Sequence, residues 1–196
     1  MKRIFDFSLA LLAILMFLPL FIIIALLITA DSKGGILYKQ SRVGKNKIDF
    51  KLYKFRTMYY RPFEKCQLTI GAHDPRVTKL GYWLRKYKID ELPQLINILK
   101  GDMSFVGPRP EVQKYARLYN RDQQRVFSVK PGITDWASIE YCGESELLAK
   151  SKDPENYYIK EIIPSKLSHS LQYIDHHDLW IDLKIIFLTL ARVVRN

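Results

Sequence analysis

The feature that most constrains this chain is an apolar run close to its N-terminus. The run extends from Phe7 to Ile28, and Ser8 is its only clearly polar side chain. A straight helix over these residues would be about 33 Å long, enough to cross the hydrocarbon core of a bilayer. The run is too long for a cleaved signal peptide, and Thr29-Ala30-Asp31 is a poor cleavage site. The sequence therefore predicts a membrane helix over residues 1–32.

Two observations argue against a simple crossing of the bilayer. Pro19 lies inside the run, where it removes a backbone hydrogen bond and predicts two half-helices. Basic residues also stand on both sides, Lys2 and Arg3 before the run and Lys33 and Lys39 after it. The positive-inside rule then places both ends in the cytoplasm, as in a re-entrant hairpin. The residues alone leave the re-entrant helix and the straight span both open, with residues 33–196 predicted to form one cytoplasmic domain on the membrane.

The charge of the chain limits its partners. With 196 residues and a formal net charge of +11, the protein is suited to nucleic acid, anionic lipid or phosphorylated substrates. The aromatic residues are not interleaved with the basic ones as a stacking platform requires, so we expect no nucleic-acid partner. The two cysteines, Cys66 and Cys142, predict neither a disulfide framework nor a metal site, and we interpret both as free thiols on the cytoplasmic side.

An acidic pair at the start of a short helix is the strongest candidate for chemistry. Leu92, Leu95, Ile96 and Leu99 form the apolar stripe of a helix, with Pro93 in its first turn and Gly101 at its end; Asp90-Glu91 comes directly before it. A helix N-terminus favours both an ionised carboxylate and a bound phosphate. The alternative is an ordinary helix cap, because Asp is a common N-cap residue.

Cations around the acidic pair favour phosphoryl chemistry over a plain cap. Arg85, Lys86 and Lys88 precede the pair, and Arg109 follows in a Gly-Pro-Arg-Pro turn. The two prolines restrict the backbone, so that the guanidinium of Arg109 has a set direction.

Several further segments have a recognisable pattern. Residues 36–44 and 49–58, separated by 45–47, predict a β-hairpin whose basic face (Lys51, Lys54 and Arg56) is either solvated or the wall of an anionic site. Asp74-Pro75 predicts a helix start, and 111–127 predicts an amphipathic surface helix. A C-terminal amphipathic helix over 178–195, with Asp182 on its polar arc, is predicted to pack on the core or to lie in the membrane interface. Trp180 and the basic residues at the end of the helix favour the interface.

Together these motifs closely resemble the monotopic phosphoglycosyl transferases, the bacterial sugar transferase family. The likeness covers nearly the whole chain. It rests on Tyr53-Lys54-Phe55-Arg56-Thr57-Met58, Asp74-Pro75-Arg76-Val77-Thr78, Asp90-Glu91-Leu92-Pro93-Gln94-Leu95, Gly101-Asp102-Met103-Ser104-Phe105-Val106-Gly107-Pro108-Arg109-Pro110 and Lys130-Pro131-Gly132-Ile133-Thr134.

The resemblance implies a covalent mechanism. Asp90 would attack the β-phosphate of a UDP-sugar, UMP would leave, and polyprenyl (undecaprenyl) phosphate would collect the phosphosugar. Glu91 would assist, and Asp90 and Glu91 would hold Mg²⁺. The same resemblance assigns phosphate contacts to Arg85, Arg109 and Lys54, and support to Arg56, Asp74, Arg76 and Asp102.

The resemblance also implies an architecture. It is a mainly helical α+β fold with a re-entrant membrane helix broken at Pro19, a short β-hairpin and amphipathic interfacial helices around an active site on the cytoplasmic face of the bacterial inner membrane. One departure is Leu18-Pro19, where the family commonly has Ser-Pro. The expected partners are the UDP-sugar, the polyprenyl phosphate and membrane lipids, with a homodimer left open. The competing interpretations are a non-catalytic membrane scaffold for later glycosyltransferases and a different lipid-phosphate phosphoryl transferase or hydrolase.

Overall fold

The computed structural model describes residues 2–59, 74–141 and 143–195, and within them the chain is mainly helical with two small sheets. The predicted α+β class is confirmed. The helices are α1 (Lys2–Asp31), α2 (Lys79–Lys86), α3 (Gln94–Lys100), α4 (Gln113–Ala116), α5 (Trp136–Glu140), α6 (Glu144–Lys150), α7 (Pro154–Tyr157), α8 (Ile163–His176) and α9 (Leu179–Arg195). The strands are β1 (Leu37–Val43), β2 (Asp49–Phe55), β3 (Ser104–Val106) and β4 (Gly132–Thr134). Both cysteines lie outside the described residues, so the prediction of free thiols stays a prediction.

Helix α1 is long and apolar enough to cross a membrane by length and composition. It is assigned as one helix through Pro19, so the prediction of two separate half-helices is wrong. The reason is that a proline removes only one N–H from the ladder, here the donor to the carbonyl of Leu15, while the neighbouring hydrogen bonds persist.

Both ends of α1 are bound to the rest of the protein. Near its start, the Arg3 guanidinium donates to the backbone carbonyls of Ile98 and Leu99. At its end, the guanidinium of Arg56 donates to carbonyls that include those of Ile28 and Ser32, the latter at 2.7 Å. Helix α1 therefore lies along the domain over its whole length. Between these ends it packs through Ala10, Ile24 and Ile28 on Leu52, Phe55, Leu84, Leu95, Ile98 and Met103.

The predicted hairpin is confirmed. Strands β1 and β2 pair antiparallel, with Leu37 opposite Phe55. Asn97, fully buried in α3, fixes the hairpin to that helix, because its Oδ1 accepts from the Tyr53 backbone N–H at 3.0 Å and its Nδ2 donates to the Lys51 carbonyl at 2.7 Å.

Two predicted helix boundaries are wrong. Helix α2 begins at Lys79, and its N-cap is Thr78, whose Oγ1 accepts from the Gly81 backbone N–H at 2.9 Å, rather than Asp74. The continuous helix expected over 111–127 is replaced by α4 and a 3₁₀ segment, Gln123–Ser128. Tertiary packing overrides the pattern there, since Tyr115 and Tyr119 are buried in one cluster with side chains of the π-helical segment Tyr158–Ile162 and of α8.

Helix α9 exposes its apolar arc. Trp180 is 79% exposed and Phe187 is 72% exposed, whereas Asp182, predicted on the polar arc, is 1% exposed. The Asp182 carboxylate accepts from the Tyr173 hydroxyl at 2.6 Å and forms an ion pair with the Lys2 ammonium. Asp182 and the buried Ile185 hold α9 on the protein, and the outward apolar arc is typical of a helix in a membrane interface.

The close contact between α2 and the chain after β2 gives a first prediction. A Cβ atom on Gly81 would lie 2.1 Å from the Thr57 carbonyl oxygen, so Gly81→Ala forces α2 away from Thr57. We expect a loss of about 1–3 kcal/mol of stability, measured as a lower Tm of the purified protein in detergent. Gly35→Ala is the matched control, since its added Cβ would lie 3.8 Å from the nearest atom. Equal Tm shifts for the two variants would contradict this account.

Candidate active site

The acidic pair lies where the sequence places it. Asp90 and Glu91 occupy a 3₁₀ turn, Ile89–Glu91, directly before α3, and the helix ends at Gly101 with φ 91°. The side chains are 5% and 9% exposed. Ile89 and Leu92 pack against the cluster that contains Ile24 and Ile28 of α1, which fixes the turn against that helix.

Glu91 holds two cations on one oxygen. Its Oε1 accepts from the Lys54 Nζ at 2.8 Å and from the Arg109 Nη2 at 2.8 Å. Burial opposes the charge on Glu91, but Arg109 and Lys54 outweigh burial and hold the pKa of this carboxyl well below its ordinary value. Burial in turn lowers the pKa of Lys54, an effect that Glu91 and Asp90 oppose. Glu91 is therefore ionised and fixes both cations beside Asp90.

Asp90 differs from its neighbour. Its Oδ1 is buried and accepts no hydrogen bond from any described residue. Burial raises the pKa of Asp90, and the Glu91 charge adds to that effect, while Lys54 and Arg85 act against it. An unpartnered buried carboxylate oxygen is costly and rare in native proteins, and such groups are typical of functional sites.

The parallel pair β3 and β4 positions Arg109, and sequence reasoning missed it. The Gly107 N–H donates to the Thr134 carbonyl at 3.1 Å, and the Gly132 N–H donates to the Pro108 carbonyl at 3.1 Å. A Cβ on Gly132 would lie 2.2 Å from the Gly107 nitrogen, so only glycine permits this approach. These contacts fix the turn that follows β3, and the guanidinium of Arg109 in this turn is directed at Glu91.

A second group of charges lies beside Asp90. Burial lowers the pKa of Arg85 on α2, and the Asp90 charge opposes that shift, which places this guanidinium in the electrostatic environment of Asp90. Arg76 donates from its Nε to both Asp74 carboxylate oxygens, at 2.9 and 3.1 Å. These hydrogen bonds hold the pKa of Asp74 below its ordinary value. The Asp74-Arg76 pair also interacts electrostatically with Arg85, and its role as support for the site stays a prediction.

Two residues predicted as support are elsewhere. Arg56 donates to the carbonyl of Ile28 in the last turn of α1 and to those of Ser32, Lys33 and Gly35 just after it, so its hydrogen bonds fix the end of α1 and not the acidic pair. Asp102 follows the opposite end of α3 from the acidic pair and contacts Lys100 at 3.4 Å and Asn97 at 3.3 Å. The sequence did carry a signal for the missed Asn97, a polar residue between Ile96 and Ile98 in an otherwise apolar helix.

The acidic pair fits a Mg²⁺ ion that also binds substrate phosphates. Within residues 2–59, 74–141 and 143–195, no group of three or more His, Cys, Asp or Glu side chains could hold a metal. Mg²⁺ commonly binds one or two carboxylates, with waters and phosphate oxygens completing the shell. The unpartnered Oδ1 of Asp90 offers such a ligand, with Glu91 adjacent.

The acidic pair lines a large cleft. Its polar lining includes Arg109, Tyr141, Glu144 and Lys166. Its apolar lining includes residues of α1 and α9. The cleft therefore offers both charged and apolar surface to a ligand.

Comparison with known proteins places this geometry in context. Residues 1–196 match the family model described as bacterial sugar transferase. A UDP-N-acetylgalactosamine-undecaprenyl-phosphate N-acetylgalactosaminephosphotransferase of Aeromonas hydrophila is 36% identical over 98% of this chain and 43% of its own length. The UDP-glucose:undecaprenyl-phosphate glucose-1-phosphate transferase of Escherichia coli (strain K12) is 37% identical over 98% of this chain and 40% of its own length.

A relative of similar size is also found. The uncharacterized sugar transferase EpsL of Bacillus subtilis (strain 168) is 35% identical over 99% of this chain and 87% of its own length. By contrast, the chain spans less than half the length of the Aeromonas and Escherichia relatives.

Proposed function

Since this chain belongs to the bacterial sugar transferase family, we propose that it transfers a sugar phosphate from a UDP-sugar to undecaprenyl phosphate, as the first membrane step of glycoconjugate assembly. The donor and the acceptor are proposed from the names of the relatives, which include UDP-glucose, UDP-N-acetylgalactosamine and undecaprenyl phosphate. The observation that carries the proposal is the unpartnered, buried Oδ1 of Asp90 beside the cations bound to Glu91.

The two carboxylates have different roles in this mechanism. Glu91 is occupied by Lys54 and Arg109, so it anchors cations and is not the attacking group. Asp90 keeps an oxygen free to attack the β-phosphorus of the donor, and the bond from that phosphorus to the UMP oxygen breaks as UMP leaves. The acceptor phosphate then attacks the same phosphorus, and the Asp90 carboxylate is released as the polyprenyl-diphosphate sugar forms.

The cations make this attack feasible. A carboxylate and a diphosphate repel each other, and Lys54, Arg85 and Arg109 offset that repulsion from three different elements. Mg²⁺, when bound at Asp90 and Glu91, would neutralise charge on the diphosphate.

We also propose that α1 enters and leaves the same leaflet. Its first turn contacts the last turn of α3 through Arg3, and its last turn contacts Arg56 through the Ile28 carbonyl, so both ends are held by one charged domain. A straight crossing would require that domain to reach both faces of the bilayer, at a high cost for its charged groups. The site then lies at the cytoplasmic surface, where the outward apolar arc of α9 contacts lipid.

The donor half-reaction tests the proposed function directly. Purified protein in detergent with Mg²⁺ and no lipid acceptor is mixed with each UDP-sugar of a panel that includes UDP-glucose and UDP-N-acetylgalactosamine. For an accepted donor we expect a burst of about one UMP per enzyme, because the covalent step needs no acceptor. Intact-protein mass should rise by one phosphosugar. UMP formation that begins only when acceptor is added, with no mass change, would contradict the covalent mechanism.

A further inference from the structure

The apolar part of the cleft is a groove between α1 and α9. Leu9, Ala13 and Met16 form one wall, and Ile186, Leu190 and Val193 form the other. Each wall has the spacing i, i+4, i+7, so each is a single stripe along a helix edge. Met16 is 64% exposed and Leu190 is 61% exposed, whereas Ala13 and Ile186 also pack against core clusters. Each stripe therefore lies at the border between the buried face of its helix and the exposed one.

An ion pair sets the two stripes side by side. The Lys2 ammonium, at the start of α1, binds the buried Asp182 carboxylate near the start of α9. On a helix, Lys2 lies on the same edge as Leu9 and Met16. The edge that meets α9 at this ion pair therefore continues as the wall of the groove.

Strands β3 and β4 supply the floor. Ser104 pairs with Gly132 and Val106 with Thr134, so the intervening Phe105 and Ile133 lie next to each other on one face of the sheet. These two side chains are half-buried while their neighbours in the strands are buried. Phe105 packs both on the cluster that includes Ala10 of α1 and on the cluster that includes Ile185 of α9, so it lies between the two helices.

The floor leads to the cations of the site. From Phe105 in β3 the chain continues through Gly107-Pro108 to Arg109, a distance of about 13 Å if it is extended. Leu92 and Leu95, which follow the acidic pair, line the same cleft. One end of this surface carries the cations Lys54 and Arg109, and the other end is apolar.

We propose that the α1–α9 groove binds the first isoprene units of the lipid acceptor, with the acceptor phosphate at Arg109 and Asp90. A UDP-sugar has no apolar part to place there, whereas an isoprenoid phosphate has an anionic head joined to a long apolar chain. This inference rests on the proposed function and adds the acceptor's path to it. The acceptor reaches Asp90 from the membrane side, and the polar part of the cleft is left to the donor.

Matched tryptophan variants on each helix test the proposal. Leu9→Trp and Val193→Trp fill the groove, while Leu15→Trp and Leu183→Trp place the same residue on outward positions that are 62% and 44% exposed. We expect the two groove variants to raise the KM for undecaprenyl phosphate by about tenfold and the two controls by less than twofold. The UMP burst without acceptor should be unchanged in all four, since the groove does not hold the donor.

Chain length provides a second readout. The wild-type protein should prefer undecaprenyl phosphate to a two-isoprene phosphate, and the groove variants should lose most of that preference. A graded series, Val193→Leu, Val193→Phe and Val193→Trp, keeps the test valid if the largest side chain prevents folding. The proposal would be overturned if the groove variants behaved like the controls. It would also be overturned if the groove variants kept the preference for undecaprenyl phosphate, as expected if membrane phospholipid filled the groove. Failure of the proposed function would show itself separately, as a missing burst in the wild-type protein.

Discussion

Replacing Asp90 by asparagine is expected to abolish the UMP burst and to reduce turnover by on the order of 10⁴-fold or more. The asparagine amide has nearly the same size, so it fits the buried turn, but it cannot attack phosphorus. The effect should exceed that of Glu91→Gln, because Glu91 anchors Lys54 and Arg109 and does not itself form the bond. The measurement is single-turnover UMP release combined with intact-protein mass.

The pH dependence separates the two carboxylates further. Asp90 must be ionised to attack, and burial raises its pKa, so the donor kcat/KM should fall with decreasing pH already above the usual range of an aspartate. Glu91, whose pKa is held well below its ordinary value, stays ionised through that fall. For the Asp90→Asn variant, the matched control is Asp122→Asn at an exposed side chain. If Asp90→Asn retained more than about one part in a hundred of wild-type turnover, the nucleophile would have to be another group.

The acidic pair could be located from the sequence because its signals are local. The apolar stripe of α3, the glycine after it and the cations on either side all lie within the stretch from Arg85 to Arg109. The hairpin was predicted for the same reason, since alternation and a short turn specify it without distant contacts.

The support of the site could not be predicted because it depends on distant contacts. Strands β3 and β4 are three residues each, too short for a periodic signal, yet their pairing aims Arg109 at Glu91. Arg56 directly follows the alternating residues of β2, and only the end of α1, whose Ile28 carbonyl it binds, shows why the guanidinium is needed. Asp182 was assigned to a solvated arc because a helical wheel cannot show that Lys2 and Tyr173 meet it.

Replacing Arg109 by methionine is expected to lower the donor kcat/KM by about 10²–10³-fold. Methionine keeps much of the length and apolar volume of the side chain but removes the charge. Glu91 is then left with Lys54 as the cation at its Oε1, and the diphosphate loses a charge that faces it. Arg109→Lys should recover about tenfold of the loss, because it restores the charge without the planar fork that two oxygens can share.

The fall of kcat/KM at low pH in the Arg109→Met variant distinguishes an electrostatic role of Arg109 from a merely structural one. Burial raises the pKa of Glu91, and Arg109 is the largest influence that lowers it, so the loss of Arg109 leaves that pKa higher than in the wild type. A carboxyl with a raised pKa takes up its proton at higher pH, and the protonated Glu91 no longer attracts Lys54. The fall in kcat/KM on acidification should therefore begin at higher pH in Arg109→Met than in the wild type, while Arg121→Met, at an exposed residue, should leave both rate and profile unchanged. A large loss of rate with an unshifted acid limb would mean that Arg109 acts on the substrate alone and that Glu91 does not depend on it for its charge.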